Sequence, residues 1–308
     1  MAGSTITTRQ AAQALGVSEA SLKRWCDQGL LPAVRTPGGH RRLPLSGIVQ
    51  FVRERRLELV RPGLLGLPEV TPPAVADHAA LRDATQAAFA SGNEPVVCRL
   101  LLGSYFAGTS AADILDDLVG PAFSAVGERW AHGDLAIYEE RRAVEICTRV
   151  LFQLRALLPL PAPDAPQAIG GTLAGDPYSL PTTMLELALR EAGWRAQSYG
   201  CGLPTSTLVE ALQAERPRLL WLSVSTFDSE PQFLANFTPL YAAAQDLGVA
   251  VLVGGRMLTA ELRERMQYSA YGDNLRHAVE FARALWPLAR GGTADAENGP
   301  SAIVSPRP

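Results

Sequence analysis

Two short helices, each preceded by a threonine or serine and followed by a glycine, stand near the start of the chain. Thr7 precedes the first helix and Gln10 follows three residues later, which is the spacing of a capping box. Gly16 ends this helix, Ser18 caps the second helix, and Gly29 ends it. Two helices joined by a three-residue turn predict a helix-turn-helix.

A glycine-rich turn between two short strands follows these helices. Pro37-Gly38-Gly39 supplies the backbone freedom for the turn, and the arms carry Arg35, His40, Arg41 and Arg42. A basic hairpin beside a helix-turn-helix is typical of a winged helix, whose wing meets the phosphate backbone of DNA. The stretch 44–56 then predicts a third helix.

The charge of the chain is distributed unevenly. The 308 residues carry a formal net charge of −3, yet residues 1–61 hold ten basic and four acidic side chains, a local charge of +6. The remaining residues therefore carry −9. This asymmetry indicates that the N-terminal unit meets a polyanion and that the rest of the chain does not.

The stretch TTRQAAQALGVSEASLKRWCDQGLLPAVRTPGGHRRL, residues 7–43, resembles the MerR family of transcriptional regulators. The resemblance implies that the helix from Ser18 to Asp27 enters the major groove and that Arg35 to Arg42 form the wing. We also expect a double-stranded operator and a homo-oligomer (dimer or tetramer), since a single small winged-helix unit buries little DNA surface. A repressor and an activator both stay open. The DNA-binding residues that we predict on this basis are Ser18, Ser21, Lys23, Arg24, Arg35, His40, Arg41 and Arg42.

Proline clusters divide the chain into three predicted units. Four prolines fall within residues 61–73 and four within 159–167, and such stretches are typical of linkers. The predicted organisation is a winged helix-turn-helix domain (1–60), a linker (61–74), a four-helix bundle (75–158), a proline-rich linker (159–167), an α/β domain (168–290) and a disordered tail (291–308).

Two different hydrophobic patterns distinguish the second and third units. Residues 75–158 place apolar side chains at three- and four-residue steps, which predicts helices packed as a bundle. Residues 168–290 alternate apolar runs of strand length with helical stretches, which predicts a doubly wound, flavodoxin-like parallel sheet. Ligands of such sheets bind at the carboxyl ends of the strands, here the loops at 176–181, 223–227 and 254–255.

These loops resemble those of cobalamin-binding domains. The family pattern is Asp-x-His-x-x-Gly, about 41 residues, Ser-x-Leu, about 27 residues, and Gly-Gly. Here DPYSLP at 176–181, SVS at 223–225 and Gly254-Gly255 follow that spacing. The order of bundle and sheet is similar to the cobalamin module of methionine synthase and of light-sensing MerR regulators of the CarH type. The cofactor-binding residues implied are Trp130, Glu140, Asp176, Tyr178, Ser223, Ser225, Gly254 and Gly255.

The departures from this pattern remove every familiar cobalt ligand. Tyr178 replaces the lower histidine, and Ala131 and Arg141 stand where the light sensors have histidines; Pro181 and Ser225 replace the motif glycine and leucine. A phenol with a pKa near 10 is a poor cobalt ligand at neutral pH. Three interpretations stay open: cobalamin that keeps its own benzimidazole on cobalt, another flat or nucleotide-bearing ligand, or no ligand and a domain used for assembly.

The sequence therefore predicts a DNA-binding transcriptional regulator whose C-terminal module senses a small-molecule or protein effector or controls oligomerisation. We expect no enzymatic activity, because no Ser-His-Asp, Cys-His or paired-carboxylate set is present, and the dispersed cysteines and histidines predict no metal site. The absence of a long apolar run or a signal peptide predicts a cytoplasmic protein without a membrane span.

Three alternatives remain at this stage. They are a corrinoid-dependent enzyme or carrier protein, an adenosylcobalamin-dependent light-responsive repressor with altered ligation, and an architectural or antirepressor protein that acts only through partners. Operator preference separates the regulators from a carrier protein.

Overall fold

The computed structural model describes residues 5–68, 78–131 and 136–286. The side chains of residues 128–131 also lie outside the description. Predictions for the second half of the first linker and for the tail at 291–308 therefore fall outside the described residues.

The N-terminal unit is a winged helix-turn-helix, as predicted. Its elements are β1 (Thr5–Thr7), α1 (Thr8–Ala14), α2 (Glu19–Asp27), β2 (Val34–Arg35), β3 (Arg41–Pro44) and α3 (Leu45–Arg55). The three strands form an antiparallel sheet in the order β1-β3-β2. The capping box is present, since Gln10 N donates to Thr7 Oγ1 at 3.1 Å and Thr7 N donates to Gln10 Oε1 at 3.1 Å.

The second unit is a four-helix bundle. Its elements are α4 (His78–Ser91), α5 (Glu94–Phe106), α6 (Ala111–Ile114), α7 (Gly120–Ala131) and α8 (Ile137–Leu157). A π-helical turn, Leu115–Val119, joins α6 to α7 into one continuous rod. The bundle thus has four rods, and the π turn marks a local change in helix winding.

The third unit is a five-stranded parallel sheet with helices on both faces. Its elements are β4 (Gln167–Gly171), α9 (Leu180–Glu191), β5 (Arg195–Ser198), α10 (Thr205–Glu215), β6 (Leu219–Ser223), α11 (Glu230–Asp246), β7 (Ala250–Gly254), α12 (Ala260–Glu264), β8 (Ala270–Gly272) and α13 (Leu275–Leu285). The strand order is β5-β4-β6-β7-β8, which is the flavodoxin-like order with its topological switch point between β4 and β6.

The winged unit packs directly on the bundle. One continuous apolar core runs from Leu22 and Phe51 of the winged unit to Leu102 and Leu151 of the bundle, and it includes Leu187 of α9. Two further apolar clusters cover the two faces of the parallel sheet. The DNA-binding unit is therefore part of a shared core.

The segment predicted as the first linker begins with ordered structure. A 3₁₀ turn, Pro62–Leu65, packs on α1 with Leu65 buried. The backbone N–H groups of Val60 and Arg61 both donate to the carbonyl of Ala14, at 2.8 and 3.1 Å. The 3₁₀ turn therefore belongs to the winged unit, because the side chain of Leu65 is buried in the core of that unit. None of the helices in the described ranges has the length and apolar character needed to cross a bilayer.

Candidate functional site

A concave basic surface opens between the first two helices and the wing. It encloses about 320 Å³ and is lined by Thr7, Thr8, Arg9, Lys23, Arg35, Gly39, His40, Arg41 and Arg42. Five of the side chains predicted to bind DNA therefore share one surface. We call this surface the basic groove.

Arg9 lines the basic groove although the sequence interpretation counted it only as part of the local charge. It lies in the first turn of α1, two residues after the cap Thr7. Thr7 pairs with Arg42 across β1 and β3. Because β1 is only three residues long, no sequence pattern indicates this pairing, and Arg9 could not be placed beside the wing.

Three of the predicted DNA-binding residues lie outside the lining of the basic groove. Ser18 Oγ accepts a hydrogen bond from Ser21 N at 3.1 Å and donates to Ser21 Oγ at 3.0 Å. These hydroxyls therefore hold the start of α2. Arg24 is exposed in the last turn of the same helix.

Ion pairs within the winged unit engage two of the cations. Arg41 on the wing pairs with Asp27 of α2, and its side chain is only 19% exposed. Lys23 lies 3.4 Å from Glu19, one helical turn away. Among the described residues, Arg9, Arg24 and Arg35 are exposed and have no acidic partner. These free guanidinium groups are the ones best placed to meet phosphate.

A second constellation lies at the carboxyl ends of β4 and β6, where the cofactor residues were predicted. The buried carboxylate of Asp176 accepts hydrogen bonds from the backbone N–H groups of Ser225 at 2.6 Å, Thr226 at 3.3 Å and Tyr178 at 3.1 Å. Asp176 therefore ties the loop after β4 to the loop after β6. The carboxylate oxygens of Asp176 therefore already accept hydrogen bonds from the protein backbone.

Tyr178 faces a cation at this edge. Its side chain is half-exposed, and the guanidinium of Arg256 lies 5.6 Å from the centre of its ring. Arg256 Nε also donates to the carbonyl of Ser225 at 2.9 Å. Ser223 and Ser225 are themselves buried. A cationic side chain beside the position of the lower ligand opposes binding of a metal cation there.

The two glycines at the end of β7 are explained by contacts between chain segments. Gly255 has a φ of 122°, and a Cβ at this position would overlap the backbone of Val224. A Cβ at Gly254 would lie 2.9 Å from the carbonyl oxygen of Gly272. Both positions need glycine for close packing of neighbouring strands and loops.

The side chains at this edge do not fit a cobalamin bound through a lower protein ligand. When a protein side chain replaces the benzimidazole on cobalt, the displaced base needs its own space. The cavity between β4 and β6, lined by Leu173, Ala174, Asp176, Leu222, Ser223, Val224, Thr226 and Phe233, measures about 10 Å³. That volume holds at most one water molecule.

The bundle residues of the predicted cofactor site contribute little to the described geometry. Glu140 lies in the first turn of α8, with its carboxylate 3.4 Å from Nε of Arg141. The side chain of Trp130 lies outside the described residues. In the described ranges, no group of three or more potential ligands is arranged to hold a metal ion.

Comparison with known proteins assigns two parts of the chain. Residues 5–56 match a helix-turn-helix domain, and residues 76–155 match a B12 binding domain. No curated protein matches the sequence.

Three solved structures extend this comparison. The Methanosarcina barkeri monomethylamine corrinoid protein has a TM-score of 0.57 and 17% identity, and the alignment covers 68% of this chain and 100% of that protein. A cobalamin-binding protein from Desulfitobacterium hafniense DCB-2 has a TM-score of 0.38 and 18% identity, with coverage of 68% and 99%. The methanol:cobalamin methyltransferase complex of Methanosarcina barkeri has a TM-score of 0.36 and 17% identity, with coverage of 74% and 89%. The first family match and the fold shared with the monomethylamine corrinoid protein show that the chain joins a helix-turn-helix domain to a bundle and a parallel sheet of the corrinoid-protein fold.

Proposed function

We propose that the protein is a transcriptional regulator of the MerR type that binds a double-stranded operator in the cytoplasm. The observation that carries this proposal is the basic groove, in which α1, α2 and the wing present Arg9, Lys23, Arg35 and Arg42 on one concave face. A surface of this shape and charge matches a duplex whose phosphates flank the groove occupied by a helix.

The protein would act as a homo-oligomer. A single winged unit buries little DNA surface, and specific affinity normally requires two such units on two half-sites. The bundle and the sheet domain supply the remaining surface for assembly. In this proposal they set the affinity for DNA by fixing the position of the winged unit or the state of assembly.

Three alternatives stay open for the effector of the C-terminal module. Cobalamin that keeps its own benzimidazole, a different flat ligand, and a protein partner are each compatible with a closed cavity between β4 and β6. A light response through cobalt ligation is disfavoured, because Tyr178, Ala131 and Arg141 stand where the light sensors carry histidines.

A corrinoid carrier or corrinoid-dependent enzyme is the second candidate. The similarity in fold to a corrinoid protein favours it. The hydrogen bonds that occupy Asp176 and Arg256 argue against it, as does the cavity of about 10 Å³. We assign no catalytic residue.

Selection of DNA fragments by the full-length protein tests the main proposal. A genomic library would be passed over the protein, and the retained duplex would be compared with a scrambled duplex by fluorescence anisotropy at one salt concentration. A regulator should prefer the selected duplex by about 10³-fold or more. Equal affinity for both duplexes would reject a sequence-specific regulator and favour the carrier hypothesis.

A further inference from the structure

A polar junction holds the winged unit to both of the other units. Arg53, near the end of α3, donates from Nη2 to Glu191 Oε1 at 3.2 Å and to the carbonyl of Thr109 at 3.3 Å. Its guanidinium lies 3.4 Å from the centre of the Tyr105 ring. A single side chain of the winged unit therefore contacts the bundle and the last residue of α9.

The partners of Arg53 are themselves fixed. The second carboxylate oxygen of Glu191 accepts from Ala111 N, at the start of α6, at 2.5 Å. Gln50 Nε2, one turn before Arg53, donates to the hydroxyl of Tyr105 at 2.9 Å and to the carbonyl of Leu157 at 3.2 Å. The junction thus joins α3 to α5, α6, α8 and α9.

This junction is a poor source of stability. The side chains of Arg53 and Glu191 are only 12% and 18% exposed. Burial raises the pKa of Glu191 above its ordinary value, and the neighbouring Arg53 offsets that effect only in part. Within the described part of the chain, Nη1 of Arg53 is buried without a hydrogen-bond partner. Buried pairs of this kind contribute little net stability, and one attested use of such groups is to specify a position.

Two rigid helices connect the junction to the two sites described above. Glu191 is the last residue of α9, which begins at Leu180 directly after the loop of Asp176, and twelve helical residues span about 18 Å. Arg53 lies on α3. This helix follows β3 without a loop, since Pro44 is the last residue of β3 and Leu45 is the first residue of α3. In addition to the shared apolar core that includes Leu187, one ion pair and one helix therefore connect α9 to the wing.

We infer that the Arg53–Glu191 pair is a latch that transmits changes at the sheet edge around Asp176 to the wing of the DNA-binding unit. This inference rests on the proposed function, since it names the route by which the sheet domain regulates the basic groove. Arg53 and Glu191 are positioning residues and make no contact with DNA in this scheme.

The test is a coupling cycle on the full-length protein without DNA. Thr182→Val perturbs the first turn of α9, because Thr182 Oγ1 accepts from Trp221 Nε1 at 2.8 Å and lies 3.1 Å from Ser198 Oγ. Arg53→Met breaks the latch and keeps a flexible apolar chain over the Tyr105 ring. The readout is hydrogen–deuterium exchange of the backbone amides of α3.

We expect Thr182→Val to raise exchange in α3 by about 5-fold or more when the latch is intact, and to have no further effect in the Arg53→Met background. Arg149→Met is the matched control, since Arg149 forms an ion pair with Glu94 inside the bundle at 2.8 Å; in this background the effect of Thr182→Val should persist.

An equal effect of Thr182→Val with and without Arg53, or no effect on α3 in either background, would overturn the inference. Glu191→Gln serves as a second way to break the latch if Arg53→Met does not fold. The readout needs no DNA, so the failure of DNA binding would reject the proposed function and leave the coupling measurement interpretable.

Discussion

Arg41 shows how a single ion pair changes the expected role of a basic side chain. Its partner Asp27 holds it against α2, whereas Arg35 has no acidic partner in the described residues and Arg42 donates only to the carbonyl of Arg41, at 3.2 Å. We predict that Arg35→Ala combined with Arg42→Ala weakens binding to every duplex and lowers the slope of log affinity against log salt by about 2. Anisotropy titrations between 50 and 200 mM salt measure this slope. The control variant Arg149→Ala, on the bundle, should leave the slope unchanged. An unaltered slope in the double variant would show that the wing is not part of the DNA interface.

Glu191 and Glu94 should affect the pH dependence of stability in opposite directions. Burial raises the pKa of Glu191, so its stabilising contribution is complete below the ordinary glutamate pKa and is lost as pH rises through the raised value. The hydrogen bond from Arg149 lowers the pKa of Glu94, so its contribution is present above the ordinary value and is lost as pH falls through the lowered value. Thermal unfolding measured between pH 3 and 8 tests both assignments. The wild type should lose stability relative to Glu191→Gln as pH rises above about 4.3, and it should lose stability relative to Glu94→Gln as pH falls below about 4.3. If the stability of both variants relative to the wild type changed in the same direction with pH, these assignments would be contradicted.

At the scale of elements, local sequence patterns predicted the helices and the wing correctly. Contacts between residues far apart in the sequence were not predicted. The caps Thr7 and Ser18 and the turn at Gly39 are local signals, and the helices and wing that they predict are present. The π turn at Leu115–Val119 and the three-residue β1 have no local pattern that would distinguish them. The ties that organise the candidate sites, from Asp176 to the loop after β6 and from Arg53 to Glu191, join residues 49 and 138 positions apart. The strand–helix alternation predicts that the loops after β4 and β6 lie close together, but it does not identify the individual hydrogen bonds and ion pairs that connect them.

Gly170 in β4 provides a prediction at this same scale. A Cβ at Gly170 would overlap the indole of Trp221, which is fully buried in the neighbouring strand β6. Because the core around an indole cannot yield freely, Gly170→Ala should cost about 2 kcal/mol or more. Gly127→Ala is the matched control, since no described atom lies within 4 Å of a Cβ there and alanine favours the helix by about 1 kcal/mol. Thermal unfolding should therefore give a lower midpoint for the first variant and an equal or higher midpoint for the second; equal midpoints would show that the strand can shift to admit the methyl group.

At the scale of the whole molecule, the chain combines the fold of a corrinoid protein with an edge that its own side chains occupy. Replacing Tyr178 by histidine restores the missing ligand but leaves Arg256 beside it and leaves the cavity of about 10 Å³ unchanged. We predict that neither the wild type nor Tyr178→His gives the absorption spectrum of cobalamin with its benzimidazole displaced, after incubation with hydroxocobalamin and desalting. Phe233→Ala combined with Tyr178→His should gain that form, because removing the Phe233 ring opens the space that the displaced base needs. The displaced-base spectrum in the single variant would show that the sheet domain opens without help from the core, and the closed cavity would then no longer separate this protein from the corrinoid carriers whose fold it shares.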